Sequence, residues 1–165
     1  MMKKILLPLL FSFLFTSCWL TTGGEVDRNW QQYKPVIIDR SQLENSISFQ
    51  NAQPVFKSGK IYIKDNLMFV NDVNKGFHVY DYSNPKSPVR TNFINVPGAT
   101  DLAIRDNTIY INQAVDLVTA TYNITTKKFT VTNRNRNVFP QKQAPNGQSE
   151  YTKDNQVIID WTLIK

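Results

Sequence analysis

Lys60-Ile-Tyr-Ile-Lys64, Asp65-Asn66 and Leu67-Met-Phe-Val-Asn71 follow one another without a gap. Two runs of β-branched, aromatic and aliphatic residues flank a two-residue polar turn, the local signature of a β-hairpin. Asn tolerates the positive φ that such a turn requires. Phe77-His-Val-Tyr-Asp-Tyr82 supplies a third strand, closed by Ser83-Asn84-Pro85, and Arg90 to Val96 a fourth, stopped by Pro97-Gly98. The order then starts again with Leu102-Ala-Ile-Arg105, Asp106-Asn107, Thr108-Ile-Tyr-Ile-Asn112, Asp116 to Tyr122 and Lys128 to Thr132.

Sliding the chain by 41 residues lays Ile63 on Ile104, Lys64 on Arg105, Asp65 on Asp106, Asn66 on Asn107, Phe69 on Tyr110 and Asn71 on Asn112. Two ordinary hairpins would share a turn, but here the basic residue before it and the Asn after it recur as well. Four antiparallel strands in ~40–45 residues is the period of a propeller blade. The sequence therefore predicts an all-β domain over 36–165, with two four-stranded antiparallel blade-like repeats at about 58–98 and 99–133.

The flanks carry different signals. Ser41-Gln-Leu-Glu44 reads as a capping box, followed by Leu43 and Ile47 at i,i+4 spacing, which predicts a short N-terminal helix. Residues 134–155 hold Arg134, Arg136, Pro140 and Pro145-Asn-Gly147 and read as a long polar loop. A terminal strand at 156–164 is expected to place Val157, Ile159, Trp161 and Leu163 on one face, with Asp160 and Thr162 on the other.

Gly76-Phe-His-Val-Tyr-Asp-Tyr-Ser-Asn-Pro-Lys-Ser-Pro88 resembles the LVIVD repeat of propeller-like bacterial envelope proteins of the Bacteroidetes type. That motif is an apolar strand, an Asp, a Ser-Asn/Asp-Pro turn and a second Pro. Asp81, Ser83, Asn84 and Pro85 stand at its turn positions, where Asp and Ser side chains bond the turning backbone and Pro fixes φ. The resemblance implies a propeller-like fold in a lipoprotein and brings no catalytic residue with it. The second copy departs from it, because Thr121 replaces the Asp and the Ser-Asn-Pro turn is lost. Two blades also cannot close a ring, which takes 4–8. Open outer strands are normally covered, and residues 36–57 and 156–164 are expected to cover them, since Val36-Ile-Ile-Asp39 echoes Val157-Ile-Ile-Asp160. Oligomerisation, or a shortened relative of a longer propeller, are the other two options.

Ahead of the repeats, Lys3-Lys4, an apolar run from Ile5 to Phe15 and Phe15-Thr16-Ser17-Cys18 have the order of a bacterial lipoprotein signal. The run contains Pro8 and is shorter than the ~20 residues needed to cross a bilayer. Cys18, the sole cysteine, is the expected lipid attachment site, with residues 1–17 removed and 18–35 acting as a tether. Removing Lys3 and Lys4 takes the formal charge from +6 to +4, too mild and dispersed to imply nucleic acid. Residue 19 is Trp rather than the Asp that retains some lipoproteins in the inner membrane, and no acidic run follows Cys18. The expected location is the outer membrane, on its periplasmic face rather than the cell surface.

Chemistry has few footholds. His78 is the only histidine, and no cysteine other than Cys18 is available to share a metal with it, so no metal or cofactor is implied. Asp65, Asp72, Asp81, Asp101, Asp106 and Asp116 are the candidate carboxylates for glycoside hydrolysis or calcium, but several fall at turns, where Asp serves the backbone. Tyr62, Phe69, Tyr80, Tyr82, Phe93, Tyr110 and Tyr122 fall on strands and read as core, with a glycan- or peptide-binding face as the alternative. Arg134 and Arg136 read as solvated, with anionic lipid as the alternative. The expectation is a non-enzymatic envelope lipoprotein that binds another envelope protein or a glycan, or serves as a scaffold. A glycan-processing enzyme and a truncated remnant of a longer propeller stay open beside it.

Overall fold

The computed structural model describes residues 32–123 and 125–164. In chain order the elements are β1 (Tyr33–Asp39), α1 (Arg40–Asn45), β2 (Ser48–Asn51), β3 (Ser58–Lys64), β4 (Leu67–Asp72), β5 (Gly76–Asp81) and β6 (Val89–Asn95). The second repeat follows as β7 (Ala99–Arg105), β8 (Thr108–Gln113), β9 (Asp116–Asn123) and β10 (Lys128–Asn135), and β11 (Gln156–Leu163) ends the fold. The strands form three open antiparallel sheets, ordered β2-β6-β5-β4-β3, β10-β9-β8-β7 and β1-β11. The chain is all-β, and both repeats are up-and-down meanders.

Period-two alternation explains the main core. Tyr62 pairs with Phe69 and Phe69 with Val79 across the first sheet, so these side chains share one face. Leu102 pairs with Ile111 and Ile111 with Val118 in the second sheet. These rows meet in one cluster with Phe77, Ile94, Ile109 and Tyr122, each of them buried. Full burial of one such side chain is worth ~1.5–3 kcal/mol, so the face between the repeats dominates the packing energy.

The repeats share their joints as well as their strands. Asp65 at φ 52° and Asp106 at φ 54° close the two equivalent hairpins. The left-handed residue is thus the Asp of each pair rather than the Asn. After β4 the turn at Asn74 (φ 62°) holds the connection to the next repeat, through Asn74 N–H to Ala99 O at 3.1 Å and Gly98 N–H to Asn74 O at 2.8 Å. After β8 the turn at Ala114 (φ 54°) is followed by the same device, with Phe139 N–H donating to Val115 O at 3.0 Å.

Several boundaries differ from expectation. The helix is capped two residues earlier: Asp39 is the N-cap and its N–H donates to Gln42 Oε1 at 3.0 Å, while Glu44 instead meets Arg136 at 2.8 Å. Because α1 ends at Asn45, Ile47 lies beyond it and joins the main core, whereas Leu43 packs with Ala114, Val115 and Val157. β1 begins at Tyr33, so the last residues assigned to the tether are strand. β2 does cover an open edge, that of β6, but β11 pairs with β1 rather than with a repeat. Val157 and Ile159 do share a face, packed with Leu43 and Val115, but the register shift at Val36/Ile37 puts Trp161 on the other face, where it packs with Ile158 and Ala144, so both faces of β11 are covered. Leu163 is exposed. β10 runs to Asn135, so Arg134 belongs to a strand and the polar loop starts later.

Candidate binding cleft

The two Asp-Asn turns lie on the same side of the molecule and frame a cleft of about 270 Å³ between the repeats. Its rim is Lys64, Asp65, Asn66, Asp106 and Asn107, and its walls and floor are Leu67, Phe69, Ile104, Ile109 and Tyr122. The Tyr122 ring stands edge-on to Phe69, with centroids 6.4 Å apart, and 5.7 Å from Phe49. Burial raises the Tyr122 hydroxyl above its ordinary pKa and keeps it protonated. The arrangement offers an apolar and aromatic floor with amide, carboxylate and ammonium groups above it. Ordinary small-molecule sites run from ~300 Å³ upward, so this cleft suits a single small unit.

The carboxylates are committed to structure one by one. Asp72 is buried; its Oδ2 accepts Phe56 N–H at 2.9 Å and lies 3.1 Å from His78 Nε2, while its Oδ1 accepts Lys57 N–H at 3.0 Å. Burial pushes this carboxyl up, but the two amides and His78 outweigh it and hold it below the usual range. A bond to a carboxylate assigns the His78 proton to Nε2. His78 Nδ1 is buried without a partner, and its ring lies 4.7 Å from that of Phe93, tilted by 47°. His78 is therefore a locally bonded strand residue.

Asp116 is likewise buried, and Arg40 Nη1 at 2.6 Å, Arg134 Nη1 at 2.8 Å and Asn137 N–H at 3.0 Å surround it. Burial opposes ionisation here too, and these three donors overcome it. Arg134 reaches on to Gln113 Oε1 at 2.7 Å. This corrects the reading of Arg134 as a solvated loop residue: a buried carboxylate draws it in. Asp101 meets Lys60 at 2.5 Å and the Tyr62 hydroxyl, and burial followed by that hydrogen bond pushes Tyr62 up to about 12. Asp81 Oδ1 accepts Ser83 N–H at 2.9 Å and Asn84 Oδ1 accepts Lys86 N–H at 3.2 Å, so the Asp81-Ser83-Asn84-Pro85 motif is an exposed turn device. Only Asp65 and Asp106 of the candidate carboxylates line the cleft.

Gln113 and Lys142 are the polar residues that sequence reasoning missed. The 41-residue shift lays Asp72 on Gln113. Both are buried, and each braces the segment leading into its own repeat, Asp72 through Phe56 and Lys57, Gln113 through Pro97 O at 3.2 Å. The pair stands one position past Asn71 and Asn112, where the repeat continues in sequence. Lys142, in the polar loop, donates to Asn74 Oδ1 and to Ile159 O at 3.2 Å. Burial pushes its ammonium down to about 8 despite the nearby Asp160. No local pattern marks it.

Phe69, Phe93 and Tyr122 are core as expected, while Tyr80, Tyr82 and Tyr110 are only half-buried. Cys18 and most of the tether lie outside the described residues. Among the described residues, no group of three or more His, Cys, Asp or Glu side chains gathers to hold a metal, and no helix is long and apolar enough to cross a membrane. Comparison with family models, curated proteins and solved structures finds no match.

Proposed function

We propose that this chain is a non-enzymatic lipoprotein of the bacterial envelope, anchored through Cys18 at the outer membrane. Its two LVIVD-like repeats present the cleft between their Asp-Asn turns to one small amphipathic unit, such as a sugar ring of an envelope glycan. The observation that carries this reading is the cleft itself, with an aromatic floor under a rim of paired Asp and Asn side chains. The apolar lining suits the apolar face of a sugar, and amides and carboxylates on the rim bond its hydroxyls. The resemblance in the 76–88 segment and the signal-like segment ending at Cys18 support the location. Lipid chains contribute ~0.8 kcal/mol per buried CH₂, and two suffice for stable attachment.

The test is a titration of the full-length protein in detergent with peptidoglycan fragments and core oligosaccharides. The methyl signals of Ile104 and Ile109 are followed, with Ile158 as a remote control. Shifts confined to the cleft methyls, with the saccharide recovered intact, are expected. Absence of any shift would refute glycan binding, and cleavage of the saccharide would move the protein to the glycan-processing class.

A further inference from the structure

Burial pushes up the pKa of two tyrosine hydroxyls, Tyr62 and Tyr122, and only the first is satisfied within the protein. The Tyr62 hydroxyl donates to Asp101 Oδ1 and accepts Leu102 N–H at 3.3 Å. The Tyr122 hydroxyl bonds no group among the described residues, and burial is the single cause of its shift. Tyr122 is only 7% exposed, as deep as its neighbours in the core. Its hydroxyl is not sealed off in the way that His78 Nδ1 and Asn112 Oδ1 are. It therefore reaches solvent, through the cleft that Tyr122 lines. The walls beside it are the hydrocarbon of Leu67, Ile104 and Ile109, and the two Asp-Asn turns carry the oxygens of the rim. A ligand that fills the cleft takes this hydroxyl out of water. It must then accept a hydrogen bond from it, or leave it unpaired against hydrocarbon.

We propose that the Tyr122 hydroxyl is the specificity-determining donor of the cleft and that it reads the acetamido group of an N-acetylhexosamine. This rests on the reading of the cleft as a glycan site and names the sugar it takes. Counting hydrogens separates the substituents that a sugar can bring. A sugar hydroxyl meeting Tyr122 adds a second hydrogen, so two O–H groups share one bond and one hydrogen is left facing the apolar walls. An ammonium has three donors and no acceptor, which leaves the Tyr122 hydrogen unpaired. A carboxylate accepts the bond but has to pass the carboxylates of Asp65 and Asp106, and Lys64 on the rim is already paired with Asp65 at 3.2 Å. An acetamido carbonyl accepts the bond and has no hydrogen of its own. Its methyl group suits the hydrocarbon walls, and its N–H finds acceptor oxygens on the rim.

The experiment titrates the full-length protein in detergent, by calorimetry, with β-1,4-linked trimers of N-acetylglucosamine, glucosamine and glucose, which differ only at C2. The N-acetylated trimer should bind at least ~10-fold more tightly than the other two, the effect of one unmade buried hydrogen bond. Tyr122→Phe should weaken that trimer ~10-fold and leave the glucose trimer within ~2-fold. The urea midpoint of the variant should stay unchanged or rise, because no bond within the protein is lost. Equal binding of the N-acetylated and glucose trimers by the parent chain would overturn the proposal and leave glycan binding standing. A variant that keeps the preference would also overturn it, as would one whose midpoint falls, since the hydroxyl would then serve the fold. Binding of no trimer would overturn it too; the glycan reading falls with it only if the cleft methyls stay unmoved by every saccharide.

Discussion

Replacing Asp116 with Ala should be among the most damaging single changes outside the apolar core. The carboxylate accepts two guanidinium bonds, worth ~1.5–3 kcal/mol each when charged, and one amide bond worth ~0.5–1.5 kcal/mol. Two effects reduce that gross sum. The buried carboxylate no longer has to be desolvated, and Arg40 and Arg134, 18% and 13% exposed at the side chain, retain some access to water. The net loss is expected near ~3 kcal/mol, the lower end for removing one partner of a buried pair. At ~4 °C per kcal/mol for a domain of this size, the midpoint falls by about 12 °C. Asp116→Asn keeps the volume and removes the charge, so a similar loss there assigns the effect to the charge. The pH dependence follows from the lowered pKa. The unfolded carboxyl, near ~3.9, binds a proton before the folded one does. The stability it contributes is thus complete above that pH and is lost as pH falls through the folded value. The gap between wild type and variant should therefore close in strong acid. Urea unfolding followed by circular dichroism measures it, and a loss under ~1 kcal/mol at pH 7 with an unchanged m-value would refute the reasoning.

Gly76→Ala should cost at least ~3 kcal/mol or prevent folding, because φ is +146° and a β-carbon would stand 2.0 Å from the Ile94 carbonyl oxygen. Gly147→Ala, with open space around it, should cost only the ~1–2 kcal/mol of a left-handed backbone; equal midpoints for the two would contradict this. For Lys142 the unfolded amine holds its proton up to about 10.4 while the folded one releases it near 8. Stability should therefore rise from pH 8 toward pH 10, and Lys142→Met should flatten that rise in a pH series of urea midpoints. Cys18→Ser should abolish metabolic labelling by a fatty acid and release the protein from membranes, and persistent labelling would exclude Cys18 as the attachment site.

The repeat was legible because its determinants are local. Asp65-Asn66 and Asp106-Asn107, alternating side chains and Pro85 each act within a few residues, and the strands formed where they indicated. What stayed hidden depends on long-range company. Asp116 looked like one more strand-end acid until Arg40, 76 positions away, and Arg134 closed on it. Lys142 sits among prolines and glutamines, and only the folded chain brings Asn74 to it. The cap slipped from Ser41 to Asp39 because both are competent N-caps and the departure of β1 selects between them. The cleft was half visible, since its turns recur in sequence, but that they frame a common space is a property of how the two sheets stack.

The most direct measurement places a photo-crosslinking amino acid at Asn107, on the rim of the cleft, in cells with intact envelopes, with Thr132 on β10 as the control. A discrete adduct carrying saccharide mass from Asn107 and none from Thr132 is the expected result. No adduct from Asn107, or the same adducts from both positions, would contradict a tethered module that binds through the cleft between its repeats.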